Sequence, residues 1–189
     1  MTSVNFLYPN GAIKAATFTF DDGINFDKKF INILNGCGMK GTFCVNSGEF
    51  DENICWPTRD GKDMIKKINT DEVAAAYEGH EVCIHGYNHI YWTNHPREQM
   101  FEAIYHDKCT LEELVGYPIR GIAYPFSSVD EHTVNIAKLL GLRYGRIAGE
   151  EPFFQLPEDM YSWAPTSSHW APKLMDRAKH FLNENFNTQ

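Results

Sequence analysis

At 189 residues, with 43% hydrophobic and 22% charged side chains, the chain is long enough to bury a core and too apolar to be disordered. Asp and Glu number 25 against 17 Lys and Arg, a net charge of −8. With no basic run to neutralise phosphates, nucleic acid and anionic membrane surfaces are excluded as expected partners. No stretch is apolar over enough residues to span a bilayer, and the first ten residues carry no basic, apolar leader. Five cysteines (Cys37, Cys44, Cys55, Cys83 and Cys109) without CxxC spacing argue for free thiols rather than a disulfide framework or a zinc finger. A cytoplasmic location follows as an expectation.

In chain order, Thr17-Phe18-Thr19-Phe20 alternates as a strand and stops abruptly at Asp21-Asp22-Gly23. Residues 25–35 place Phe26, Phe30, Ile33 and Leu34 on one helical face, closed by Gly36 or Gly38. Residues 41–45 form a second apolar strand, and strand, helix, strand in that order predicts a parallel crossover. Residues 46–69 read as a polar loop with a short helix near 64–68. Thr70 is the expected cap of a helix over 71–77, ended by Gly79. The third strand, 81–85, runs into Gly86-Tyr87-Asn88-His89. A long helix from Pro96 to Val115 follows, then strand 119–124, a helix begun by Ser128 and Asp130 and ended by Gly141, and strand 142–147. Residues 153–165 read as a loop and 172–186 as a final helix. With no repeat or linker, 1–189 is expected to be one α/β domain with parallel strands.

Ligand and catalytic groups of such domains gather where strands end at their carboxyl sides. Asp21 and Asp22 end the first strand; His85 and His89 end the third and enter its loop. Adjacent carboxylates repel, and a bound cation relieves that repulsion while leaving one as a base. Two imidazoles and a carboxylate suit a divalent metal with an open position. Read singly, Asp-Asp-Gly is also an ordinary turn, and the histidines could be hydrogen-bonded loop residues. The four-residue His spacing is not that of a zinc-peptidase helix, because no Glu follows His85 and Gly86 and Asn88 favour a loop.

Thr-Phe-Asp21-Asp22-Gly23 followed by His85-x-x-x-His89 resembles the polysaccharide deacetylases of the NodB-homology type, a carbohydrate esterase family. The resemblance implies a distorted, here incomplete, β/α barrel that removes N- or O-acetyl groups from an acetylated carbohydrate with a divalent metal, zinc first, cobalt or nickel as alternatives. It makes Asp21 the general base and Asp22, His85 and His89 the metal ligands. It matches Ala123-Tyr124-Pro125-Phe126 to the family's third motif, with the oxyanion donor at the Phe126 amide and Tyr124 beside the substrate. Ala123 stands where many members carry the arginine that holds the catalytic Asp, and Arg120, Arg143 or Arg146 are the candidates to replace it.

After residue 150 no strand carries the family's closing Leu-x-His pattern. His169 is the nearest candidate for the general acid, His180 lying in a helical stretch. Tyr87, Tyr91, Trp92, Trp163 and Trp170 are candidate sugar-stacking rings, Trp92 and Trp163 foremost. An unclosed sheet needs its edge covered, by the final helix or by a second copy in a homo-oligomer. Two alternatives stay open: a metal-dependent amidase acting on a small non-sugar amide, and a catalytically silent carbohydrate-binding domain.

Overall fold

Alternation along each central strand sorts side chains to two faces. Phe43, Val45, Val82, Ile84 and Ile122 go into the main core, while Cys44, Cys83 and Ala123 form a separate small cluster on the opposite face. Both faces are covered, as parallel sheets require. The computed structural model describes residues 7–52 and 54–183. The expectations for the first six residues, and for the last three residues of the 172–186 helix, lie outside them.

Five parallel strands, β1 (Phe18–Asp21), β2 (Gly41–Val45), β5 (Glu81–Ile84), β6 (Gly121–Ala123) and β7 (Tyr144–Arg146), pair in that order as a curled half-barrel. The crossovers carry α1 (Asp27–Gly36), α2 (Val73–Ala76), α3 (Arg97–Val115) and α4 (Glu131–Leu139); α5 (Leu174–Asn183) closes the described chain. The expected α/β class, parallel order and incomplete barrel are all present. Gly116 (φ 75°) and Gly141 (φ 78°) stop α3 and α4 in the left-handed conformation expected of them.

Residues 46–69 differ from expectation. They hold a second, two-stranded sheet, β3 (Cys55–Pro57) against antiparallel β4 (Met64–Lys66), in place of the expected helix near 64–68. The turn between them is closed by Thr58 N–H donating to the Asp63 carbonyl at 2.8 Å, with Gly61 at φ 68°. The helix expected over 71–77 begins as a 3-10 turn, Thr70–Glu72, and its cap is Asn69, which makes a capping box with Glu72. Thr70 is instead the first residue inside that turn, and its hydroxyl donates to Asp51 Oδ2.

The 153–165 segment is more ordered than a plain loop. Trp163 forms a parallel bridge with Arg146, Trp163 N–H donates to the Gly145 carbonyl at 2.9 Å and Ile147 N–H to the Trp163 carbonyl at 3.0 Å, so this stretch covers the outer edge of β7. The Lys14 ammonium, just ahead of β1, donates to the Phe181 and Leu182 carbonyls at the end of α5. None of the described helices is long and apolar enough to cross a membrane.

Candidate metal and catalytic centre

The strand ends place the first two motifs side by side. β1 stops at Asp21, and Asp22 (φ 78°) and Gly23 (φ 61°) turn the chain through left-handed backbone; only the second is a residue that adopts it freely. A side chain at Gly23 would also meet Val45 at 3.1 Å. Asp22 Oδ1 lies 3.7 Å from His85 Nε2 and 3.6 Å from His89 Nε2, and the two Nε2 atoms are 3.1 Å apart. Among the described residues this trio is the single group of three or more such side chains close enough to share a metal ion.

The trio fits a divalent cation on its own chemistry. His85 Nδ1–H donates to the Ala123 carbonyl at 2.8 Å, which fixes the tautomer and leaves the Nε2 lone pair facing Asp22 and His89. Burial moves the His85 pKa below its ordinary value, favouring the neutral, ligating ring. His85 N–H donates to Val45 O at 3.0 Å and to Asp107 Oδ2 at 3.2 Å, while Asp107 Oδ1 accepts from Ser47 N–H and Oγ–H at 2.8 and 2.6 Å. Asp107 thus ties the β2 and β5 loops from α3. Burial pushes its carboxyl up to about 7.

Of the three candidate arginines, Arg120 and Arg143 are exposed, and Arg146 alone reaches Asp21. From β7 its Nη2 donates to Asp21 Oδ1 across the face that carries Cys44 and Cys83. Arg146, on a strand other than that of Ala123, is thus the candidate that contacts Asp21.

The third-motif stretch divides in two. Phe126 (φ 55°) sits in the 3-10 turn Pro125–Ser127, its exposed ring 4.6 Å from His89 and stacked on Tyr91 at 4.9 Å and 10°. Tyr124 is buried: its ring packs edge-on to Trp92 at 6.0 Å, and its hydroxyl occupies the space that a side chain at Gly145 would need. Trp92 is 0% exposed. Neither Tyr124 nor Trp92 can present a face to a sugar, so both substrate-binding expectations are corrected to core roles. Trp163 is half-buried beside β7. His169 is exposed, its ring 4.2 Å from Trp170, and its described contact is with that ring rather than with Asp21, Asp22, His85 or His89. The general-acid expectation gains nothing from its position.

Sequence reasoning missed Asp107, Asn46 and Lys67, all of which brace the site through backbone atoms. It also passed over Asp27, buried in the first turn of α1, whose Oδ2 accepts from Tyr77 Oη–H at 2.7 Å and Ile24 N–H at 3.2 Å. Burial, aided by the charges of Asp22 and Asp21 and opposed by those hydrogen bonds, pushes its carboxyl up to about 7. The unfolded chain releases this proton near the ordinary carboxyl value and the folded one only near 7, so between those values the folded state holds more protons. Asp27, together with the similarly raised Asp107, is therefore expected to lower the stability of the metal-free protein by about 1–3 kcal/mol as pH rises from about 4 through 7. Asp27→Asn should make the fall between pH 5 and 8 shallower in urea melts, and an unchanged slope would remove Asp27 as a source of it.

An α/β half-barrel with a carboxylate–imidazole cluster at the carboxyl ends of its strands defines a barrel protein with a metal-competent centre. The comparisons make this specific. Residues 9–145 match the family described as polysaccharide deacetylase, and the chain belongs to that family. Chitin deacetylase 2 of Cryptococcus neoformans var. neoformans is 27% identical over 125 residues, covering 65% of this chain and 24% of that protein's length. BC0361, a polysaccharide deacetylase from Bacillus cereus, shares the fold at TM-score 0.67 and 19% identity, over 82% of this chain and 48% of that one. A family 4 carbohydrate esterase from Streptomyces lividans does so at TM-score 0.57 and 19% identity, over 71% and 62%.

Proposed function

We propose that this chain is a metal-dependent deacetylase that removes N- or O-acetyl groups from an acetylated carbohydrate. One observation carries the reading: the Asp22–His85–His89 trio lies beside Asp21, whose Oδ1 is held by Arg146. Both Asp side chains are 38% exposed, open enough for a polymer to approach.

Asp22, His85 and His89 would hold the ion. When bound, a divalent metal such as zinc supplies the charge that acidifies a water and polarises the acetyl carbonyl. Asp21 is the base: with Oδ1 engaged by Arg146, Oδ2 accepts the proton of the attacking water. The Phe126 amide, on a turn whose ring touches His89, is assigned to the oxyanion that develops on the acetyl group. Tyr91 and Phe126 together offer an apolar face of the kind on which sugar C–H groups stack.

The relative named chitin deacetylase makes acetylated chito-oligosaccharides the first substrate to try, with acetylxylan as the ester counterpart. Protein stripped of metal should release no acetate, and reloading with zinc, cobalt or nickel should restore release. Stoichiometric metal without acetate from either substrate would overturn the deacetylase reading in favour of a silent carbohydrate-binding domain.

A further inference from the structure

We infer that Lys67 is a positioning residue for the metal centre, a buried cation that locks the Asp22 turn to the histidine loop. The inference rests on the metal-site reading above. Lys67 follows β4, and its side chain is 4% exposed. Its ammonium donates to the Asp22 carbonyl at 2.8 Å and to Asn46 Oδ1 at 3.3 Å, and pairs with Glu49 Oε2 at 2.6 Å. Three acceptors on three segments use up the three ammonium protons.

Asn46, 0% exposed, carries the connection onward. Its Nδ2 donates to the carbonyls of His85 and Gly86 at 2.7 and 2.8 Å, which leaves Oδ1 as the acceptor for Lys67. The path from Asp22 to His85 thus runs through one ammonium and one amide, both withdrawn from water. Glu49 fixes the ammonium from the far side.

The β3–β4 hairpin exists in the fold as the mount for this cation. Asn25 N–H donates to Lys66 O at 2.9 Å, Lys66 N–H to Asn25 Oδ1 at 3.0 Å, Asn25 Nδ2 to Met64 O at 3.1 Å, and Ile68 N–H to Gly23 O at 2.9 Å; Ile24 and Lys67 form an antiparallel bridge. Those bonds grip the residues directly after Asp22. Asp22 occupies left-handed backbone, which aspartate adopts less readily than glycine, and Lys67 holds it there at its carbonyl. Without the ammonium the Asp22 carbonyl and the Asn46 amide lose their shared partner, and the Asp22 carboxylate is held less firmly toward Nε2 of both histidines. The spacing that defines the site, 3.6 to 3.7 Å, is then no longer preset.

The test is zinc affinity of the metal-free protein, measured by competition with a chromophoric chelator, beside thermal unfolding of the same samples. Lys67→Met should weaken zinc binding by about 10- to 100-fold, the loss seen when a group that orients ligands is removed. Lys67→Arg should recover part of it. Lys62→Met, on the same hairpin but exposed, should bind zinc as the parent does and so exclude a general charge effect. A folded Lys67→Met protein with parental zinc affinity would overturn the inference, whatever its melting temperature. If Lys67→Met fails to fold, Glu49→Gln decides: weakened zinc binding supports the clasp and unchanged binding overturns it. A parent protein that takes up no zinc at all would instead overturn the metal-site reading, and this inference with it.

Discussion

Asp21→Asn should lower the rate of acetate release by about 10²- to 10⁴-fold while leaving zinc affinity within a few-fold of the parent. The asymmetry follows from what each neighbouring carboxylate touches. Asp22 Oδ1 faces the two imidazoles, whereas the recorded partner of Asp21 is the Arg146 guanidinium. An amide at position 21 keeps an oxygen for Arg146 but loses the basic oxygen that takes the proton of water. Equal loss of metal and turnover would reassign Asp21 as a ligand, and unchanged turnover would remove it from the chemistry. Acetate release alongside chelator competition separates these results.

The second large effect is expected at Arg146. Arg146→Met should reduce kcat by about 10- to 100-fold with KM changed far less, because a hydrogen bond to a charged group contributes about 1.5–3 kcal/mol and this one acts on the base rather than on the substrate. The guanidinium side chain is 14% exposed, so it is largely shielded from solvent and salt. Its loss should also lower the melting temperature, since Arg146 bridges β7 to β1 across the sheet interior. Arg146→Lys should restore charge without the planar fork and recover activity only in part. A kcat equal to the parent's would show that Asp21 orients itself. A rise in KM with kcat intact would place Arg146 on the substrate.

What the sequence made legible was whatever is written locally. The strand ending in Asp21-Asp22-Gly23, the loop rather than helical setting of His85 and His89, and the glycine stops of α3 and α4 each depend on a few adjacent residues. The β3–β4 hairpin was also written there, as Asp60-Gly61 between two short runs containing Trp56 and Ile65, but polar neighbours disguised it. Burial was less readable. Trp92 and Tyr124 have the composition of a sugar platform, and only the packing of Tyr124 over Gly145 and Trp92 against it shows that they are core. Arg146 was readable only as one of three candidate arginines and Lys67 not at all, because the meaning of each lies in contacts 125 and 45 residues away in sequence.

That 125-residue separation ties competence to the order in which the chain is assembled. The three proposed ligand residues lie between positions 22 and 89, so they are synthesised well before position 146. Asp21, the proposed base, is another matter: it meets Arg146 only when β7, the last of the described strands, has docked. On the proposed reading, a partly assembled chain has its ligand trio in place while Asp21 still lacks Arg146. On that reading, an arginine on the far-edge strand rather than at Ala123 makes hydrolysis a late property of folding, complete only once β7 has paired.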